Sequence, residues 1–371
     1  MKKIFILAGE LSGDKLGAWY LNKLILRPLD ELGAQDENEE KFICEAIGGD
    51  FLKNAGAKIY QRFEKLNIVG LVEIIKRLRF ISKFLNSTLD YILQNNFDEV
   101  ILVDFPGFNL RLAKKLKRKN PNIKITYLSP PQLWAWGAWR TRTIKKNCDD
   151  IIVLYPFEID WYKKRGINVK YLGNPVYDEL QSSFDNVLKE KNRLVILPGS
   201  RTSEIEKMLP IFVESIKRFK LINSGIDVYL PLAESINIEK IKTKLRRLRA
   251  PQINIVLGQK EKLKILNSAT LALSKPGTIS LQLSFLRVPS LMVYKTSWVT
   301  YFLAKLLARI KYMSLPNLFL NKIVFKEIIQ VGCNPKNISK NLNVLHKSCI
   351  KKDEDYQKLQ NDFDNLRELF S

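Results

Sequence analysis

Short runs rich in Ile, Val, Leu and aromatic residues alternate along the chain with longer stretches whose apolar residues recur every three to four positions. An apolar, β-branched run bounded by turn residues predicts a buried strand, and the three-to-four spacing predicts an amphipathic helix. On this basis KIFILA, FICEAIGG, EVILVD, KITYLS and DIIVLY are predicted strands of the first half, separated by helical patterns such as 17–26 and 110–119. The rhythm restarts after YLGNP (171–175) with RLVILPGS, DVYLPLA, INIVLG, TLALS and PSLMVY. Strand and helix in alternation specify a parallel sheet with crossover helices. The expected fold class is therefore α/β, with two doubly wound parallel-sheet domains, 1–172 and 173–350, and a cleft between them. A chain of 371 residues exceeds one ordinary core and suits two. Beyond 351, Tyr356, Leu359, Phe363, Leu366 and Leu369 fall at helical spacing, which predicts a C-terminal helix that can pack back on the first domain.

Ligands of doubly wound sheets bind beyond the carboxyl ends of the strands, so the loops after the predicted strands are where chemistry is expected. AGELSGD follows the first strand; Gly9 and Gly13 permit a tight turn or close approach, and the helix it opens favours an anion. Its glycine spacing is not the dinucleotide fingerprint. LVDFPGFN places Asp104 at a strand end, where a carboxylate can act as general base, while Asn109 is suited to cap the helix that follows. In LSPPQLWAWGAWRTRT, Trp134, Trp136 and Trp139 with Arg140 and Arg142 suggest an aromatic and cationic wall for a sugar, a base or a phosphate. LPGSRTSEIEK has capping-box spacing at Ser203 and Glu206, which predicts a helix start near Ser203 with Arg201 at its positive end, an arrangement suited to a diphosphate. SKPGTISLQLSFL is uncharged after Lys275, and its one amide, Gln282, stands in an apolar run.

Charge and composition narrow the classes of partner. A formal net charge of +23 predicts attraction to polyanions: nucleic acid, an anionic membrane or phosphorylated substrates. No nucleic-acid-binding module is recognisable. The segments 63–85 and 296–312 are basic and amphipathic and fit interfacial helices on anionic lipid. No run approaches the roughly 18 apolar residues of a membrane span, and the apolar start of MKKIFILAGELSGD is too short for a signal peptide. Cys44, Cys148, Cys333 and Cys349 lack paired spacing, which points away from a zinc site or disulfide framework and toward a reducing cytosol. The acidic stretch 32–41 reads as a solvated loop, and the single histidine, His346, as a surface helix residue. Proton transfer is accordingly assigned to a carboxylate.

The segments AGELSGD, GLVEIIKRL, DFPGFN, SPPQLWAW, LPGSR, PGTISL and YMSLPN occur in the order found in the lipid-A-disaccharide synthase family, which the chain resembles from end to end. The resemblance implies a GT-B glycosyltransferase of two Rossmann-like domains, the first on the acceptor and lipid side and the second binding the UDP-sugar. The implied reaction is inverting transfer of 2,3-diacylglucosamine from UDP to the 6-hydroxyl of 2,3-diacylglucosamine 1-phosphate, giving a β-1,6 disaccharide 1-phosphate and UDP in lipid A biosynthesis. It implies no metal and no cofactor, a peripheral position at the inner face of the inner membrane, and a homodimer. Carried over by motif, Asp104 would be the base, and Ser200, Arg201, Gly277, Thr278 and Gln282 would hold the UDP. Gly9, Glu10, Ser12, Gly13, Asp14, Asn109, Trp134, Trp136 and Asn317 would meet the sugars.

The chain departs from the family at Gln282, where a glutamate accepts from the ribose hydroxyls, at Pro276 (serine), at Asn174 (histidine) and at Gly137 (a basic residue). An uncharged acceptor makes a hydrogen bond about half as strong, so weaker donor binding is expected. Two other readings accompany this one: a nucleotide-sugar 2-epimerase, which would share the fold but not SPPQLWAW or YMSLPN, and a non-catalytic lipid-binding relative.

Overall fold

Seven strands pair side by side and all parallel in the first half: β1 Lys2–Ala8, β2 Phe42–Gly48, β3 Lys58–Arg62, β4 Glu99–Val103, β5 Lys124–Leu128, β6 Asp150–Val153 and β7 Lys170–Tyr171, in the order β3-β2-β1-β4-β5-β6-β7. Six more form a second parallel sheet: β8 Arg193–Leu197, β9 Asp227–Pro231, β10 Asn254–Val256, β11 Leu271–Ser274, β12 Ser290–Tyr294 and β13 Lys326–Ile329, in the order β10-β9-β8-β11-β12-β13. The computed structural model describes residues 1–25, 42–63, 71–184, 192–233, 236–298, 301–302, 306 and 311–371, with backbone alone along 71–78. They divide into two compact units, Met1–Pro175 and Val176–Ser371.

Both sheets reverse direction beside the first strand of their unit. β1 lies between β2 and β4, and β8 between β9 and β11. At such a switch point the connections on either side lead to opposite faces, which leaves a crevice at the carboxyl edge. Register sets what borders it: Ala8 pairs with Val103, so the chain continues into Gly9 on one side and Asp104 on the other. In the second sheet Leu197 pairs with Ser274, so Pro198 and Lys275 follow together.

Parallel strands are covered on both faces, and the alternation along them shows this. Phe5 and Leu7 pack on one side with Val100, Leu102, Ile125 and Tyr127. Ile4, Ile6 and Ala8 pack on the other with Cys44, Ala46, Ile101 and Val103. The strands that the apolar pattern did not predict, β3, β7 and β13, all lie at sheet edges, where one missing neighbour relaxes the demand for continuous apolarity.

Other expectations are corrected. His346 is not on the surface: it is buried in the helix Pro335–Lys351 with its ring edge-on to Phe219 at 5.6 Å, and burial pushes its pKa down. The C-terminal helix is Glu354–Glu368, and Phe370 rather than Leu369 is the buried residue at its end. Its described contacts are with the second unit, through Phe363 on Phe325, Phe370 on Phe285, and the Arg367 guanidinium donating to the Phe285 carbonyl. The acidic stretch 32–41, part of 63–85 and part of 296–312 lie outside the described residues.

Asp14 ties the first unit together. Fully buried in the helix Leu11–Ile25, it accepts backbone N–H bonds from Gly49 (2.6 Å), Phe51 (3.0 Å) and Leu52 (3.3 Å), and so caps the helix Asp50–Asn54 from a distant part of the chain. Its carboxylate is thereby committed to the fold. Asp14→Ala leaves buried donors unpaired and should cost roughly 2–4 kcal/mol in urea unfolding; an unchanged midpoint would show that the carboxylate faces a ligand instead.

Candidate active site

The turn after β4 is backbone in an uncommon conformation. Asp104 (φ 44°) and Phe105 (φ 46°) are consecutive non-glycine residues in the left-handed region, which costs on the order of 1–3 kcal/mol each. Several contacts hold them there. The Asn109 amide donates to the carbonyls of Val103 (3.1 Å) and Asp104 (2.8 Å), and the Tyr127 hydroxyl donates to the same Asp104 carbonyl at 2.8 Å. Phe105 covers Gly9 so closely that a Cβ there would lie 2.6 Å from the ring. Gly9 is thus required by the Phe105 side chain. Asn109 does not cap the helix: that helix begins at Pro106 with Phe105 as its N-cap, and Asn109, one turn inside, reaches back to the strand.

The result is a half-buried carboxyl at the switch point with its backbone fully engaged. Burial pushes the Asp104 pKa up, the neighbouring Glu10 charge adds to this, and the Phe105 N–H offsets part of it. A carboxyl displaced this way is a better proton acceptor near neutral pH. Glu10 is half-buried on the loop after β1, where it accepts from the Ser12 hydroxyl at 2.5 Å, while Gly13 is buried against Ala8. Glu10, Ser12 and Asp104 therefore share one crevice edge, and Asp14 points away from it.

The three tryptophans divide. Trp134 turns inward, donating from Nε1 to Glu158 Oε1 at 3.0 Å with its ring edge-on to Phe157. Trp136 and Trp139 are exposed, 5.6 Å apart and nearly perpendicular, and the Arg140 guanidinium lies 4.8 Å above the Trp136 ring. Trp136, Trp139 and Arg140 therefore lie together on the surface, whereas Trp134 is not brought to them. Glu158 was not foreseen. It is buried, also accepts from the Tyr155 N–H at 3.2 Å, and has its pKa pushed up to about 7 by burial against the opposing pull of its hydrogen bonds.

The second switch point brings the two other predicted loops together. Lys275, after β11, pairs with Glu204 at 2.9 Å, and Glu204 also accepts from the Ser200 N–H at 3.1 Å. The helix begins at Thr202 with Arg201 as N-cap, so the acid that reaches back is Glu204, the third helical residue and two positions before Glu206; the Ser203–Glu206 box does not form. Gly199 sits at φ 142°, and a Cβ there would lie 2.6 Å from Glu204, so glycine is required. Ser200, Arg201, Gly277 and Thr278 are exposed at the carboxyl edge, whereas Gln282 is buried one turn inside the helix Thr278–Phe285. Asn317 is committed to protein: its amide donates to the Phe325 carbonyl (2.8 Å) and Glu327 (3.0 Å), and its oxygen accepts from Val324 and Phe325. Glu327, also unforeseen, gathers the N–H groups of Met313 and Ser314. Among the described residues no three His, Cys, Asp or Glu side chains converge as a metal site.

Two Rossmann-ordered sheets, each with polar loops at its switch point, define the GT-B class. Solved structures of that class agree in fold: a UDP-GlcNAc 2-epimerase from Neisseria meningitidis bound to UDP-GlcNAc (TM-score 0.59, 13% identity, 99% of each chain covered) and MurG from Acinetobacter baumannii (TM-score 0.52, 15% identity, 100% of this chain and 99% of that one). The family model for lipid-A-disaccharide synthetase matches residues 4–369. Curated relatives include lipid-A-disaccharide synthase 1 of Legionella pneumophila strain Paris, 31% identical over 93% of this chain and 88% of its own length, and the lipid-A-disaccharide synthase of Rickettsia typhi, 30% identical over 99% and 95%. The chain belongs to the lipid-A-disaccharide synthetase family and is a glycosyltransferase.

Two expectations follow from the unforeseen carboxylates. Glu158 has a folded pKa of about 7 against an ordinary 4.5, so the fold favours its neutral form; that contribution is complete below pH 4.5 and is lost as pH rises through 7. Urea midpoints measured across this window should fall in the wild type, by a stability change of roughly 3 kcal/mol, and stay flatter in Glu158→Gln. For Glu204, burial raises the pKa, but the Lys275 hydrogen bond and charge with the N–H groups of Ser200 and Arg201 outweigh it and hold it below 4.5. Lys275→Ala should therefore cost about 1–2 kcal/mol at neutral pH, a difference that disappears as pH falls through the lowered Glu204 pKa.

Proposed function

We propose that this glycosyltransferase moves 2,3-diacylglucosamine from UDP to the 6-hydroxyl of 2,3-diacylglucosamine 1-phosphate with inversion. The observation that carries the reading is Asp104, a carboxyl with raised pKa held in a left-handed turn at the crevice of the first sheet. In this account Asp104 takes the proton of the 6-hydroxyl as the oxygen attacks the anomeric carbon. The bond from that carbon to the diphosphate breaks, and its electron pair leaves with UDP. Arg201 and the N-termini of the helices Thr202–Lys220 and Thr278–Phe285 carry the charge that develops on the diphosphate. Glu10 and Ser12 bind sugar hydroxyls beside Asp104, while Asp14, Asn109, Trp134 and Asn317 shape the site through the contacts described above. Gln282 accepts from the ribose.

The partners are these two acylated substrates and an anionic membrane, met through exposed Arg79 and Lys83 of the helix Leu71–Gln94 and through exposed Trp298, Phe302 and Leu306. No helix among the described residues is long and apolar enough to cross a membrane. Peripheral attachment at the inner face of the inner membrane, and a homodimer, complete the proposal.

Purified protein given both substrates should release UDP and the disaccharide 1-phosphate; absence of product would refute the reading. Asp104→Asn should lower kcat by about 10²–10⁴ with little change in donor binding. Because the base works ionised, activity should fall as pH drops through the raised Asp104 pKa, above the ordinary 3.8. Glu10→Gln removes a like charge and should move that limb to lower pH. Gln282→Glu should tighten UDP binding roughly tenfold if the amide meets the ribose; unchanged affinity would place the ribose elsewhere.

A further inference from the structure

The helix Thr202–Lys220 ends in a turn where Leu221 and Ile222 are 85% and 68% exposed. Val344, 62% exposed on the helix Pro335–Lys351, lines the same groove as these two and adds a third aliphatic side chain to it. Isolated exposed aliphatic residues are ordinary, but an apolar patch with a polar rim marks an interaction site. The groove, of about 550 Å³, lies between the two helices. Arg218, Lys336, Lys340 and Lys347 rim it, and none of the residues lining it is acidic. Lys336, Lys340 and Lys347 share one helical face at spacings of four and seven, where like charges repel.

The groove is braced from within. The Asn223 amide donates to Asn343 Oδ1 at 2.5 Å, and Phe219 packs on His346 beneath the turn. It is also separate from the Arg201 loop: Arg201 precedes a helix of 19 residues and Leu221 follows it, which at 1.5 Å per residue sets them about 30 Å apart. Four cations without a carboxylate select an anionic occupant. The aliphatic side chains that line the groove with them select one whose charges overlie an apolar layer. A bilayer with anionic headgroups has both properties.

We propose that this groove is a docking face for an anionic membrane, with Leu221 and Ile222 entering the headgroup layer and the four cations meeting lipid phosphates. Each cation near such a surface contributes about fivefold to partitioning. The proposal rests on the membrane attachment proposed above and adds to it a second contact, made of residues distinct from Trp298, Phe302 and Leu306; the face lies outside the catalytic machinery and does not depend on the transfer reaction.

The test is co-sedimentation of the full chain with vesicles of phosphatidylcholine alone or mixed with phosphatidylglycerol. Wild-type protein should prefer the mixed vesicles and release as salt rises. Leu221→Ser with Ile222→Ser, and separately Lys340→Glu with Lys347→Glu, should each lower partitioning at least about tenfold; the lysine pair should also flatten the salt dependence. Asp104→Asn should bind vesicles as wild type does, so a failure of the transfer reading leaves this result readable. All four substituted side chains are on the surface, and either double variant suffices if the other does not fold. Wild-type partitioning by both double variants would overturn the proposal, whether other surfaces hold the membrane or the groove takes an acidic protein.

Discussion

The reversal of strand order beside β1 and β8 is the constraint from which the chemistry follows. In a parallel sheet every strand delivers its chain to the same edge, and covering helices normally close over it. Only where neighbouring connections diverge to opposite faces does an opening remain. The β1–β4 register brings Gly9 and Asp104 to that opening in the first unit, and the β8–β11 register brings Pro198 and Lys275 to it in the second. Four loops far apart in the chain become two pairs because backbone hydrogen bonds leave them nowhere else to go.

Within each pair, charge and strain do different work. Around Asp104 the surroundings hold a costly backbone: an amide, a phenol and a ring fix two left-handed residues so that the carboxyl stands near Glu10. At the second crevice an ion pair, Glu204 with Lys275, fastens two loops while exposed Ser200, Arg201, Gly277 and Thr278 face outward. The first arrangement raises the pKa of one carboxyl, which is what the proposed role in proton transfer requires. The second holds backbone donors and a guanidinium in a fixed array, which suits a diphosphate.

Much of this was legible before any coordinates. Strands buried on both faces announce themselves as apolar runs, and the loops after them are where function was expected, which is why Asp104 and Arg201 stood out. The edge strands β3, β7 and β13 escaped because one-sided pairing permits polar residues such as Lys58, Gln61 and Glu327. Glu158, Glu204 and Glu327 escaped for another reason. Each is defined by partners it reaches through the fold, such as Lys275 from Glu204, and nothing local distinguishes them from solvated glutamates except a position beside apolar runs. The same limit explains Asp14 and Asn317, whose motifs were recognised but whose side chains turn out to bind backbone.

The central claim is that the strained turn makes Asp104 the base. Carbon-13 NMR titration of the Asp104 carboxyl, set beside the pH dependence of kcat/KM in the same protein, tests it most directly. The account predicts that Asp104 titrates above the ordinary 3.8 and that the acid limb of activity coincides with it. Titration at or below 3.8, or an acid limb that does not follow the Asp104 signal, would contradict it.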